Sequence, residues 1–317
     1  MSEGLFGDRI RDEVRDIEEH IEERFEEGLF LGLHGKRKRE LTSRPSLGGR
    51  ALRAIPRLPG FRWYAENVAP KHLQLEEVTA PLPNLPVGLA GLRVGFLTDC
   101  HHDLGRPVAL LEKGVALLNE ARPDVIALGG DYVVKRAAGF DACTAVLARL
   151  RAPLGVYAIL GNHDYWASSN LIAEKLAAVG LTVLRNRARR LVAPGGAPFW
   201  IAGLDDACRL RADLNITLAG VPRDEFRILL AHEPEVADRV GGHRVDLQLS
   251  GHSHGGQVVL PFVGPPLLPR LGRRYIRGLY RTPTHTLYTS RGVGGVPPYI
   301  RLNCPPEVTV LTLAPGA

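Results

Sequence analysis

Five short blocks hold the residues of this chain that could do chemistry: Asp99-Cys100-His101, Gly130-Asp131, Gly161-Asn162-His163-Asp164, Ala231-His232 and Gly251-His252-Ser253-His254. Each directly follows an apolar run that reads as a buried strand. Together they bring carboxylates, a carboxamide and five imidazoles to loop positions. Mixed oxygen and nitrogen donors suit divalent cations of the Mn²⁺, Fe or Zn²⁺ kind. A lone histidine is usually a hydrogen-bonded resident of a packed interior, whereas ordered blocks at successive strand ends describe a site. The set points to two divalent metal ions and to hydrolysis of a phosphate ester.

The elements that must position these blocks are legible around them. Strands are expected over 92–97, 125–128 and 156–160, alternating with helices over 108–121, 143–150 and 171–179. That alternation predicts a parallel or mixed sheet covered on both faces. In such sheets, ligands bind beyond the carboxyl ends of the strands, where the blocks fall. The glycines in the blocks permit tight turns and close backbone approach. The second half is richer in strands, expected over 198–202, 226–230, 245–249, 257–260, 285–289 and 308–313. They suggest a second sheet packed on the first.

The order D-x-H, G-D, G-N-H-D, H and G-H-x-H resembles the calcineurin-like metallophosphoesterase superfamily. Gly278-Leu279-Tyr280, Leu287-Tyr288-Thr289-Ser290-Arg291-Gly292-Val293-Gly294 and Asn303-Cys304-Pro305-Pro306-Glu307 resemble a bacterial branch of it. That branch contains broad phosphodiesterases and pyrophosphatases acting on UDP-2,3-diacylglucosamine. The match spans 92–313. The resemblance implies an α/β fold, a four-layer αββα sandwich of two mixed β-sheets, with a dimetal centre at its edge.

The resemblance also implies roles. Asp99, His101 and His254 would hold one metal and Asn162, His232 and His252 the other, with Asp131 bridging both. His163 would be a non-ligand histidine beside the leaving group, and the reaction an in-line attack by a hydroxide bridging the metals. Two cations about 3.5–4 Å apart can clamp the attacking and leaving oxygens of such a displacement. A carboxylate rather than an imidazole must bridge, because only an anion tolerates a place between two dications. Mn²⁺ is the expected cation, with Fe and Zn²⁺ as alternatives.

Departures from the superfamily pattern narrow the reading. Protein phosphatases of the superfamily read G-D-x-V-D-R-G and G-N-H-E. Here the first block continues Tyr132-Val133-Val134-Lys135-Arg136, with Val134 in the carboxylate's place, and the second ends in Asp164. That argues against a protein phosphatase and removes the usual acidic partner of the leaving-group histidine. Asp164, Asp205 and Asp206 are the candidates to orient His163, with Asp205-Asp206 as first choice. Asp103, Tyr132, Tyr165 and Trp166 are candidate pocket walls. Cys100 is expected in the core and His102 at the surface. The segment 261–281 mixes Leu267, Leu268, Tyr275 and Ile276 with Arg270, Arg273, Arg274, Arg277 and Arg281, which suits a phosphate carrying an apolar tail.

The substrate is expected to be a phosphate ester, nucleotide- or lipid-linked. Two alternatives stay open: a nuclease, and a non-catalytic metal-binding scaffold of the same fold. Scaffolds usually lose ligands, and here all seven expected ligands and His163 are present.

At 317 residues and net charge +6, with no exceptional composition, the chain divides by pattern into an extension over 1–90 and a catalytic domain over 91–317. Ile10, Val14, Ile17, Ile21 and Phe25 recur at helical steps, so an amphipathic helix is expected over 8–30, packing on the domain or pairing in a homodimer. A basic arm over 36–53 is a candidate for peripheral membrane contact, with a Pro- and Gly-rich linker over 78–91. No apolar run is long enough for a transmembrane segment, and no signal peptide is evident. Four scattered cysteines suit a reducing compartment, so a cytoplasmic location is expected, or a peripheral one at the inner membrane face.

Overall fold

Branched and aliphatic residues run without a polar break along the central strands because both faces of each strand are covered. In the computed structural model, residues 69–102, 108–296 and 299–316 are described. The chain divides into units Met1–Gly49 and Arg50–Ala317, and all described residues belong to the second. The helix expected over 8–30, the basic arm over 36–53 and Asp103 lie outside the described residues.

One sheet contains β1 (Gln74–Leu82), β2 (Arg93–Leu97), β3 (Val125–Leu128), β4 (Val156–Ala158), β5 (Thr182–Val183) and β12 (Glu307–Pro315), in the order β1-β12-β2-β3-β4-β5. β1 and β12 run parallel, β12 and β2 antiparallel, and β2 to β5 parallel. The other contains β6 (Arg187–Val192), β7 (Pro198–Gly203), β8 (Phe226–Leu230), β9 (Leu247–Ser250), β10 (Gly278–Arg281) and β11 (Thr286–Thr289), in the order β10-β11-β9-β8-β7-β6. Its edge strands β10 and β6 are antiparallel to their neighbours.

The period-two geometry of strands sorts side chains between layers. Val125 and Ala127 of β3 join Val94, Phe96, Phe199, Ile201, Phe226 and Ile228 in the core between the sheets. Ile126 and Leu128 face the other way, onto α1 (Ala109–Ala121), α2 (Phe140–Leu147) and α4 (Ser169–Ala178). Beyond the second sheet, Ala202 and Leu229 pack under Leu218, Val221, Val236 and Val240, near the short α5 (Leu214–Thr217). The result is the expected sandwich of two mixed sheets flanked by helices. Among the described residues, no helix is long and apolar enough to cross a membrane.

Several expectations are corrected. The linker read over 78–91 is strand through Leu82: Ala80 and Leu82 are buried in the inter-sheet core, and Pro81 is tolerated because β1 is an edge strand. The sheet therefore takes in chain preceding residue 91. No strand forms over 257–260; Val258 and Leu260 make only single bridges, to Leu302 and Gly264. Gln257 adopts a left-handed φ of 52°, which breaks extension there. His102 is buried and bridges Val133, and Tyr132 is a core residue whose hydroxyl donates to the Ile159 carbonyl (3.0 Å).

The inter-sheet core sets a stability contrast. Phe199→Ala, at a fully buried position, is expected to cost about 3–5 kcal/mol. Val192→Ala, at a position 51% exposed, should stay within about 0.5 kcal/mol. Urea midpoints of the two variants measure the difference.

Candidate metal centre

The expected donors all come from carboxyl ends of strands: Asp99 follows β2, Asp131 follows β3, Asn162 follows β4, His232 follows β8, and His252 and His254 follow β9. The first three strands belong to one sheet and the last two to the other. Asn162 and His163 open α3 (Asn162–Ala167), a short helix whose Asp164 carboxylate reaches back to the Gly161 N–H (2.9 Å). The same carboxylate accepts the N–H groups of Asp131 (2.8 Å) and Tyr132 (2.9 Å). Asp164 thus ties two of the loops together through backbone donors.

Ligand-capable atoms fall into overlapping groups: Asp99, His101 and His254; His101, Asp131 and His163; and Asp131, His232 and His252, with the chosen atoms of each group within 4.8 Å of one another. Nε2 of His254 and Nε2 of His101 lie 3.5 and 3.7 Å from Asp99 Oδ1. Asp131 Oδ2 lies 3.5 Å from His101 Nε2 and 3.1 Å from His232 Nε2. Asp131 Oδ1 accepts the His163 N–H (2.9 Å). Asp131 thus stands where the groups meet. The Asp99 carboxylate accepts the His252 N–H (3.1 and 3.2 Å), joining a loop of one sheet to a loop of the other.

Close approach demands missing side chains. A Cβ on Gly161 would overlap Asp131 Oδ1, and one on Gly251 would overlap Asp99 Oδ2. The donors are also bent into place. Asp99, His101, Asp131, His252 and His254 all adopt left-handed φ, between 43° and 66°. Such conformations cost roughly 1–3 kcal/mol each and concentrate at functional sites.

Second partners choose the presented nitrogen of each imidazole. His232 Nδ1 is 2.7 Å from the Gly129 carbonyl, His252 Nε2 2.7 Å from the Arg270 carbonyl, and His163 Nδ1 2.6 Å from the Val134 carbonyl. A carbonyl only accepts, so these nitrogens carry the protons. Nε2 of His232, Nδ1 of His252 and Nε2 of His163 are left as acceptors. The Val134 contact corrects the expectation for His163, because Asp205-Asp206 do not orient it. Asp205 instead accepts from the Tyr165 hydroxyl and Arg185, and Asp164 is committed to backbone donors. Trp166 packs against His163 with centroids 4.1 Å apart and the rings tilted by 50°.

Charge follows from burial and these neighbours. Burial would push the Asp99 carboxyl up, but His254 and the His101 hydrogen bond hold it well below the usual range. Burial is likewise outweighed at Asp131, chiefly by His232 and His163. Burial pushes His252 and His254 down, and takes His163 to about 3 despite the pull of Asp131. Burial and the Asp131 charge raise Asp164 to about 8 against its N–H donors. At His232 burial loses to Asp131, and the imidazole is pushed up.

These residues fit divalent cations. His232 Nε2 faces a carboxylate oxygen, acceptor against acceptor until a cation or proton lies between. Asn162 Oδ1 is buried and has no hydrogen-bond partner among the described residues. Donor separations of 3.1–3.7 Å suit atoms around ions with bonds of about 2.0–2.2 Å.

Sequence reasoning missed Arg301. Its guanidinium donates to the carbonyls of Gly294 (2.7 and 2.9 Å), Arg291 (2.7 Å), Gly292 (3.1 Å) and His254 (3.3 Å). It braces the turn carrying His254 rather than offering a phosphate its donors. Nothing in the local sequence marks it. A cleft of about 370 Å³ opens beside His101, walled by Val108, Leu111, Val293, Tyr299 and Leu302. In 261–281, Arg274 pairs with Asp238 (3.0 Å), while Phe262, Val263 and Leu267 are exposed.

A family model described as calcineurin-like phosphoesterase matches residues 92–256. The uncharacterized metallophosphoesterase YkuE of Bacillus subtilis (strain 168) is 34% identical over 253 residues, covering 79% of this chain and 88% of its own length. The phosphodiesterase YaeI of Escherichia coli (strain K12) is 37% identical over 233 residues, covering 71% of this chain and 83% of its own. An uncharacterized metallophosphoesterase of Aquifex aeolicus (strain VF5) is 32% identical over 248 residues, covering 76% and 92%.

Two substitutions test the geometry. Gly161→Ala should displace Asp131 and weaken divalent-ion binding by about 10–100-fold in calorimetric titration. Asp164→Asn, which turns two N–H donors against a backbone N–H set, should lower stability by about 1–3 kcal/mol in urea.

Proposed function

The chain belongs to the calcineurin-like phosphoesterases, metal-dependent hydrolases of phosphoric esters, and from that premise we propose that it cleaves phosphodiesters with a pair of divalent cations. One observation carries the reading: Asp131 Oδ2 stands between His101 Nε2 at 3.5 Å and His232 Nε2 at 3.1 Å, which belong to different donor groups. Asp99, His101 and His254 would hold one ion, Asn162, His232 and His252 the other, with Asp131 shared. When bound, such a pair activates water and polarises the phosphoryl oxygens of an in-line displacement.

The chain's own residues do the rest. His163, its Nδ1–H fixed by the Val134 carbonyl and its ring packed by Trp166, presents an unprotonated Nε2, which would take up the proton released by the attacking water and pass it to the departing oxygen. Val134, already noted at the position of the protein-phosphatase carboxylate, supplies only this backbone carbonyl. The cleft beside His101 sets Val108, Leu111, Val293 and Leu302 beside His72, His102 and Asn303, which suits an ester whose alcohol carries both apolar and polar groups, lipid-linked among them. The phosphodiesterase name of the Escherichia coli relative supports a diester over a monoester. Mn²⁺ is our choice for the first ion to test, because mixed Asp, Asn and His donors accept it readily.

The test is turnover of bis-p-nitrophenyl phosphate with added Mn²⁺, beside the monoester and a short nucleic acid. Diester cleavage is expected to dominate. His163→Ala should lower kcat by about 10²–10⁴-fold, and Asp131→Asn should lower bound Mn²⁺ together with activity. Wild-type rates in both variants would overturn the reading.

A further inference from the structure

A different donor set lies outside the pocket. Asp206 and Cys208 sit in the turn after β7, and Glu233 follows β8, one residue beyond His232. A carboxylate oxygen of Asp206, one of Glu233 and Sγ of Cys208 lie within 4.8 Å of one another. Asp206 and Glu233 are 0% and 1% exposed, so neither carboxylate is solvated. Glu233 accepts the N–H groups of Ala207 and Cys208, each at 3.2 Å, and Asp206 Oδ2 accepts the Arg209 N–H at 2.6 Å. Asp206 Oδ1 is buried with no hydrogen-bond partner among the described residues.

A buried carboxylate oxygen without a donor, on a side chain whose neighbours are a second carboxylate and a thiol, is costly unless a proton or a cation lies among them. We propose that Asp206, Cys208 and Glu233 hold a third cation, of the borderline class that takes oxygen and sulfur together, as Zn²⁺ does. The thiol argues against Mg²⁺ and Ca²⁺, which prefer oxygen throughout. Bonds of about 2.0–2.3 Å would draw the three donors inward from separations of up to 4.8 Å. Cys208 is half-buried, which leaves an entry path and a position for water as fourth ligand. The ion would join the 206–209 turn to the start of the 232–233 turn. It is therefore a structural clamp behind His232, independent of the chemistry in the pocket.

Cd²⁺ titrated into metal-stripped full-length protein tests this, read by the ultraviolet thiolate-to-cadmium absorption, which the sulfur-free pocket donors cannot give. The band should disappear in Cys208→Ser and persist in Asp131→Asn, so the outcome does not depend on the reading of the pocket. Asp206→Asn should weaken Cd²⁺ binding by about tenfold or more. Absence of the band in the wild type, its survival in Cys208→Ser, or unchanged affinity in Asp206→Asn would overturn the proposal. The last result is what a proton shared between the two carboxyl groups would give.

Discussion

Keeping a charged carboxylate where water scarcely reaches is the constraint on which the rest of this structure rests. Asp131 is 1% exposed, yet its environment holds it ionised. An isolated buried anion would instead take up a proton. The imidazoles of His101 and His163 come from loops of one sheet and that of His232 from the other. The packing of the two sheets and the electrostatics of the pocket are therefore one problem: neither sheet alone supplies all the polar partners of the carboxylate.

That convergence is crowded, and the backbone carries the crowding. Donors in left-handed conformations are offset by the apolar core of the sandwich, where Phe96, Phe199 and Phe226 are fully buried. The glycines at 161 and 251 matter here less for flexibility than for empty volume, since each lies where a carboxylate oxygen needs room. Asp164 and Arg301 complete the frame with opposite kinds of partner. The acidic group collects backbone N–H donors and the basic one collects carbonyls.

The donor set and the strands beneath it were readable because both signals are local: an apolar run, a glycine, then an Asp, Asn or His. The parallel strands β2, β3, β8 and the helix α1 came out nearly in place for the same reason. What escaped depends on distant chain. β1 is a strand only because β12 pairs with it, and its proline and two glutamates hide the pattern. β6 is mostly exposed, so its alternation is weak. The Val134 carbonyl that orients His163 is invisible to any argument from side-chain types, which is why an acidic partner was sought at Asp205-Asp206. Arg301 was passed over because a half-buried arginine bound to carbonyls looks, in sequence, like any surface arginine.

The order β1-β12-β2 has a consequence for how the molecule comes to exist. β12, the last strand among the described residues, lies between the two earliest ones, so β1 cannot join the sheet until it arrives. During synthesis the first sheet must wait with an open slot while the second sheet emerges. Pairings between such distant segments close slowly, because the loop entropy comes due before the contacts form. A ribosome-bound chain stopped short of β12 would carry an exposed strand edge beside half of the donor loops, a state suited to chaperone capture rather than to catalysis.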